Sequence, residues 1–147
     1  MLDLSFAIIH HLAIFALFGV LIVEIALVER GMNRNTVITV VKVDLWYGIL
    51  AAVILIVGFS RAVYAAKGWV YYSHNGFFWA KIAMFVAVGL LSVPPTSKYL
   101  QWKRLPQSPS DDKVDRIRTL LWIELGLFAL LPIFAAAMAR GYGEFAF

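Results

Sequence analysis

The feature that most constrains this chain is an apolar run near its N-terminus, from Leu4 to Val28. A helix rises ~1.5 Å per residue and the hydrocarbon core of a bilayer is ~30 Å thick, so a helix over this run can cross a membrane. Its only ionisable side chains are those of His10, His11 and Glu24. Ionisable groups are costly in hydrocarbon, so we expect them to face other helices or to have a functional role.

Three more apolar runs follow, and each contains one charged residue: Leu45–Ala65 with Arg61, Phe77–Val93 with Lys81, and Leu120–Ala139 with Glu124. With 62% hydrophobic and only 15% charged residues, the chain is too apolar for a soluble domain of this size. A backbone in lipid must satisfy its hydrogen bonds internally, which favours helices. The sequence therefore predicts an all-α, integral membrane, antiparallel four-helix bundle, with residues 1–147 forming a single four-span transmembrane domain.

The basic residues indicate an orientation in the membrane. Nine of the 13 lysines and arginines fall around the first and third connections between spans, and four fall on the opposite side. The positive-inside rule then places those connections in the cytoplasm and both termini outside. The same rule accounts for the net charge of +4, so no nucleic-acid partner is predicted. The first run has no basic segment before it, so we do not expect it to be a cleaved signal peptide.

The two adjacent histidines of the first span point in different directions. At about 100° per residue, His10 shares a helix face with Ala13, Leu17 and Glu24, whereas His11 lies on a bulky face suited to lipid. We therefore expect His10 to face inward. A neutral imidazole can bind haem iron, and helical bundles often hold such cofactors, so His10 is the first candidate metal ligand. His74 is the candidate second ligand, provided that its connection folds inward.

Two cations accompany these histidines in the predicted outer half. Arg61 and Lys81 each lie about one turn inside a span, and no acidic residue lies in that half of the spans. Either cation alone is compatible with snorkelling to the lipid headgroups. Together with an inward His10, they suggest a site for an anionic ligand, for which haem propionates, a quinone oxygen or a lipid phosphate would fit.

Glu24 and Glu124 lie toward the predicted inner half. They could share a proton, relay protons or pair with Arg118, and the alternative is exposure at the interface. Asp44 is interpreted as a solvated acid at the mouth of the second span, and the tryptophans and tyrosines as headgroup-level anchors. The chain has no cysteine, which excludes disulfides and covalent c-type haem attachment.

Short motifs along the spans resemble a known group of membrane proteins: Phe78-Trp79-Ala80-Lys81 opening the third span, Lys98 to Arg104 closing it, and Ile123-Glu124-Leu125 in the fourth. With the early histidine of the first span, they resemble the HemJ-type protoporphyrinogen oxidase and CopD-like superfamily. Within or near it, the chain is similar to a family of small bacterial four-helix membrane proteins of unknown function, domain of unknown function family 2214.

The resemblance implies haem b near the outer face of a bacterial inner membrane. It matches His10 (or His11) to the first-helix histidine, Lys81 to the third-helix lysine and Glu124 to the fourth-helix acid. HemJ-type proteins have a histidine two residues before that lysine, where this chain has Trp79.

Three functions remain open at this point. The first is binding of haem or another redox cofactor near the outer face by His10, His74, Arg61 and Lys81. The second is a non-catalytic membrane subunit or assembly factor whose polar residues only pack helices. The third is a small proton-coupled carrier. Beyond membrane lipids, the expected partners are another membrane or redox protein, or a second copy of the chain in a homo-oligomer.

Overall fold

The computed structural model describes residues 2–64 and 68–143, and the regular structure in this part of the chain is helical. The helices are α1 (Leu2–Leu27), α2 (Arg34–Tyr64), α3 (Gly68–Ser73), α4 (Gly76–Arg104) and α5 (Asp111–Ala139). All except the short α3 are long and apolar enough to cross a membrane. The predicted all-α architecture with four spans is therefore confirmed.

The four long helices pack as two hairpins. Helices α1 and α2 form one, α4 and α5 form the other, and the hairpins meet through α2 with α4 and α1 with α5. Helices α1 and α4 therefore lie on one diagonal of the bundle, and α2 and α5 on the other. We call the end carrying the 28–33 and 105–110 connections the loop end. The opposite end, which carries α3 and the beginning of α1, is the terminal end.

The interior of the bundle is narrow and apolar along most of its length. Each long helix contributes buried side chains to it, among them Leu17, Ile54, Val88 and Phe128. Many other large apolar side chains point outward and are exposed in the isolated chain. Such an outer surface suits helices that are solvated by lipid rather than by water.

The first connection begins after Leu27 and contains a turn at Gly31. Helix α1 ends at Leu27, and Gly31 has a φ of +74°. This left-handed backbone is readily adopted by glycine. Asn33 caps α2, because its side-chain oxygen accepts a hydrogen bond from the Thr36 amide at 2.9 Å.

Contacts between the two connections close the loop end. Ser110 is in the N-cap position of α5, but its side chain forms no capping hydrogen bond. Asp111 instead accepts a hydrogen bond from the Gly31 amide at 3.2 Å, and Arg30 forms an ion pair with Asp115 at 2.6 Å. This ion pair is solvent-exposed, so water and salt screen it and it contributes little to stability.

The connection between α2 and α4 contains α3 and is attached to α5 at the terminal end. The Tyr71 hydroxyl donates to the Met138 carbonyl at 3.3 Å. The Asn75 side chain caps α4, because its oxygen accepts hydrogen bonds from the amides of Phe77 and Phe78. Lys67, which precedes α3, lies outside the described residues.

Candidate functional site

The two glutamates of the spans are buried inside the bundle. Glu24 on α1 is 2% exposed and Glu124 on α5 is 1% exposed, both toward the loop end. Both side chains therefore face the interior. The alternative of interfacial exposure is wrong for both residues.

Glu124 is held by a tyrosine from the opposite corner of the bundle. The Tyr47 hydroxyl of α2 donates a hydrogen bond to Glu124 Oε1. The second oxygen, Oε2, is also buried, and it has no hydrogen-bond partner among residues 2–64 and 68–143. A carboxyl group has several acceptor positions. Oε2 is therefore an atom at which a proton can be bound.

Glu24 faces a second buried tyrosine in a related arrangement. The Tyr99 hydroxyl of α4 lies beside the Glu24 carboxyl, although in the described part of the chain it forms no hydrogen bond of good geometry. The Glu24–Tyr99 pair spans the α1–α4 diagonal, and the Tyr47–Glu124 pair spans the α2–α5 diagonal. Both pairs therefore cross the interior, and their carboxyl groups are close enough to interact electrostatically.

Asp44 joins these two pairs, which corrects its interpretation as a solvated acid. It is only 9% exposed, and its Oδ1 accepts a hydrogen bond from the Thr96 hydroxyl at 2.7 Å. Its charge acts on both Glu24 and Glu124. The interpretation was wrong because Asp44 lies on the buried face of α2 with Val40 and Tyr47, and at Asp44 this face meets Thr96 of α4. We call these residues the carboxyl cluster: Glu24, Asp44, Tyr47, Tyr99 and Glu124.

A cleft between α2 and α4 reaches the carboxyl cluster from outside the bundle. Its volume is about 370 Å³. It is lined by polar side chains, including Asp44, Tyr47, Ser92 and Thr96, together with apolar residues such as Ile49. Asp44 is therefore the acid of the cluster that lines an open approach, whereas Glu124 lies behind Tyr47.

The two histidines of α1 are oriented as the helical period predicts. His10 packs against α2 at Gly58, where a Cβ atom would lie only 3.1 Å from the imidazole Cε1. The absence of a side chain at Gly58 therefore provides space for the His10 ring. His11 is exposed on the outer surface, and its Nδ1 donates to the Ala7 carbonyl at 2.7 Å.

Three of the predicted site residues come together near the terminal end. His10 on α1, Arg61 on α2 and Lys81 on α4 are close enough for their charges to interact. Among the residues that the structure describes, no acidic side chain acts on either His10 or Lys81. We call His10, Arg61 and Lys81 the cation cluster.

His74, the fourth predicted site residue, lies apart from His10. It is exposed after α3, and its Nδ1 donates to the Val70 carbonyl at 2.8 Å. It is not among the groups whose charges act on His10. Within the described ranges, no group of three or more histidine and acidic side chains is placed to hold a metal ion. The arrangement therefore gives no support to a ligand pair of His10 and His74.

Arg118 does not pair with either buried glutamate. Its Nη1 donates instead to the Val28 carbonyl at 3.0 Å, just beyond the end of α1. A cation at this position satisfies a carbonyl that the helix leaves without an internal partner. Arg118 therefore connects α5 to the first connection, and its positive charge is not paired with the carboxyl cluster.

Tyr47 and Tyr99 are the functional candidates that the sequence analysis missed. Both were interpreted as headgroup anchors, which is wrong, since they are 5% and 0% exposed. A signal existed for Tyr47, because Val40, Tyr47 and Ile54 recur at seven-residue intervals and all three are buried on one face of α2. The exposed neighbour Trp46 fits the anchor interpretation.

The fold and its two polar clusters define a four-span helical membrane protein with ionisable groups inside its bundle. Residues 2–143 match the model of a family described as "Predicted membrane protein (DUF2214)", and the chain belongs to this family. No curated protein and no solved structure matches the chain. The family has no known function, and the resemblance to HemJ-type proteins stays a prediction from the short motifs.

Proposed function

We propose that this protein is a small proton-linked membrane carrier whose carboxyl cluster binds the proton. The observation that carries the proposal is the burial of Glu24 and Glu124, each facing a tyrosine across a diagonal of the bundle. Ionisable groups inside transmembrane bundles are expensive and mark ion pathways or proton relays. Apolar side chains of similar volume would pack these positions without that cost, so stability alone does not explain the acids.

The positions of the acidic groups in the carboxyl cluster support a proton route from the cleft to the buried glutamates. Asp44 lines the open cleft and acts electrostatically on Glu124, which presents the unpartnered Oε2. Tyrosine hydroxyls both donate and accept hydrogen bonds, so Tyr47 and Tyr99 can adjust to either protonation state of their glutamates. A proton from the cleft would therefore reach Asp44 first and then the two glutamates.

An apolar layer supports alternating access to this cluster. Leu17, Ile54, Val88 and Phe128, one from each long helix, are buried between the carboxyl cluster and the cation cluster. Such a layer blocks proton passage toward the terminal end. A carrier needs a barrier of this kind on one side at a time, and movement of one hairpin against the other would shift it.

The proposal is tested by proton movement in liposomes that contain the purified protein and a pH-sensitive dye. With a membrane potential imposed, wild-type protein should acidify or alkalinise the lumen faster than protein-free liposomes. Glu124→Gln and Glu24→Gln should reduce the protein-dependent rate by about tenfold or more, because each removes a proton-binding group. Glu29→Gln is the matched control, since Glu29 is exposed in the first connection.

Two results would contradict the carrier proposal. Wild-type rates equal to those of protein-free liposomes would leave the non-catalytic membrane subunit as the better explanation. The same conclusion would follow if Glu124→Gln and Glu29→Gln had equal effects.

Haem binding is the second candidate, favoured by the inward His10 beside two cations. His10 would supply one axial imidazole, and Arg61 and Lys81 would meet the propionates. After haem supplementation, His10→Ala should remove the Soret absorption band and His11→Ala should leave it. A colourless wild-type protein, or loss of the band only in His11→Ala, would count against this candidate.

A further inference from the structure

The cation cluster takes no part in proton binding by the carboxyl cluster. The reason why three basic side chains are grouped at this position is therefore a separate question. His10, Arg61 and Lys81 come from three different helices and influence one another electrostatically. Lys81 and His10 are both partly buried, and no acidic side chain in the described ranges acts on either. Grouping partly buried basic side chains inside a helical bundle is unfavourable unless an anion accompanies them.

The depth of the cation cluster matches the lipid headgroup level. Arg61 lies in the last turn of α2, and Lys81 lies five positions after the beginning of α4 at Gly76. Exposed aromatic side chains, the usual residues of the membrane interface, surround this end of the bundle at Tyr64, Trp69 and Trp79. Phosphate groups of lipids lie at this level in a bilayer.

The side chains of the cluster also suit the geometry of a phosphate. Guanidinium groups bind phosphate oxygens through paired N–H donors, and ammonium groups act as point charges. His10 Nδ1 is buried and forms no hydrogen bond of good geometry in residues 2–64 and 68–143, although the Ile54 carbonyl lies beside the ring. A phosphate oxygen can therefore still bond to this nitrogen. Packing against Gly58 fixes the ring in this position before any ligand arrives.

We propose that His10, Arg61 and Lys81 form a binding site for a phosphate group between α1, α2 and α4. The depth of the site favours the phosphate of an anionic lipid, and free phosphate is the other source of the same chemistry. The site is separate from the carboxyl cluster and does not depend on proton transport.

The test is thermal unfolding of the purified full chain in detergent, titrated separately with three compounds. These are dioleoylphosphatidylglycerol, dioleoylglycerol with the same acyl chains but no phosphate, and inorganic phosphate. The unfolding midpoint of wild-type protein should rise with phosphatidylglycerol and not with dioleoylglycerol. A rise with inorganic phosphate alone, reaching the same limit, would identify free phosphate as the ligand.

Substitutions at matched positions of α4 show whether the cluster is responsible. Lys81→Gln should weaken the apparent affinity for the effective compound about tenfold, because it removes a charge-assisted contact. Lys98→Gln, at the loop end of the same helix, should leave the affinity unchanged, and Lys81→Arg should retain most of it. Arg61→Gln should also weaken binding, which keeps the test decisive if Lys81→Gln does not fold. Equal stabilisation by phosphatidylglycerol and dioleoylglycerol with none from inorganic phosphate, or equal affinities in Lys81→Gln and Lys98→Gln, would overturn the proposal.

Discussion

Replacing Tyr47 with phenylalanine should lower the free energy of unfolding in detergent by about 1–2 kcal/mol. The substitution keeps the ring and removes the hydroxyl that donates to Glu124 Oε1. Because Glu124 Oε2 already lacks a hydrogen-bond partner among the described residues, the variant leaves a buried carboxyl group with neither oxygen bonded. A buried polar group that loses its partner retains the full cost of its desolvation.

Tyr99→Phe provides a control with the same chemical change in an equally buried position. The Tyr99 hydroxyl faces Glu24 without a well-formed hydrogen bond in the described part of the chain, so its removal should cost less than about 0.5 kcal/mol. Equal losses of stability in the two variants would show that the two tyrosines are energetically equivalent, contrary to the geometry.

A double substitution separates the hydrogen bond from the packing of the two side chains. Tyr47→Phe combined with Glu124→Leu removes both partners and fills the same space with apolar atoms. We expect this variant to be more stable than Tyr47→Phe alone, because no buried carboxyl group remains unbonded. With wild type and the Glu124→Leu single variant, these measurements complete a double-mutant cycle, which gives the coupling between the two residues provided that each variant folds.

Much of the architecture could be predicted because lipid restricts what a backbone can do. Four long apolar runs must become helices, and the helical periodicity of the first run correctly predicted that His10 faces inward and His11 outward. These predictions depend only on helix geometry along one element. They required no knowledge of which helix packs against which.

The contents of the carboxyl cluster could not be predicted in the same way. Tyr47 and Glu124 are 77 positions apart, and they meet because their helices occupy opposite corners of the bundle. Helical periodicity shows which residues share a face but does not identify the helix that this face meets. Asp44 was misplaced for the same reason, since its burial depends on the contact of its face of α2 with Thr96 of α4.

The conformation of the connection before α4 could also not be predicted from the sequence. His74 could become a second ligand only if its segment folded inward, and composition gives no preference between the two arrangements. In the structure, the hydrogen bond to the Val70 carbonyl keeps the His74 ring at the surface of the short helix. The aromatic residues of this segment predicted its interfacial depth but not the direction of its polar side chains.

Replacing Asp44 with asparagine should slow proton movement in liposomes about tenfold, and Glu124→Gln should slow it further. The amide keeps the size of the side chain and its ability to accept from the Thr96 hydroxyl, so the fold should persist. It removes the acid that lines the cleft, and a proton must then cross directly to the enclosed glutamates. Asp112→Asn, in the exposed first turn of α5, is the control for loss of one acidic charge at this end.

Small weak acids in the buffer should have different effects on the Asp44→Asn and Glu124→Gln variants. The cleft of about 370 Å³ beside Asp44 can admit such a molecule, which would deliver protons in place of the missing carboxyl group. Weak acids should therefore restore the rate of Asp44→Asn, and they should not restore Glu124→Gln, because Glu124 is 1% exposed behind Tyr47. Rescue of both variants, or wild-type rates in Asp44→Asn without any added acid, would show that protons reach the buried glutamates by a route other than the cleft between α2 and α4.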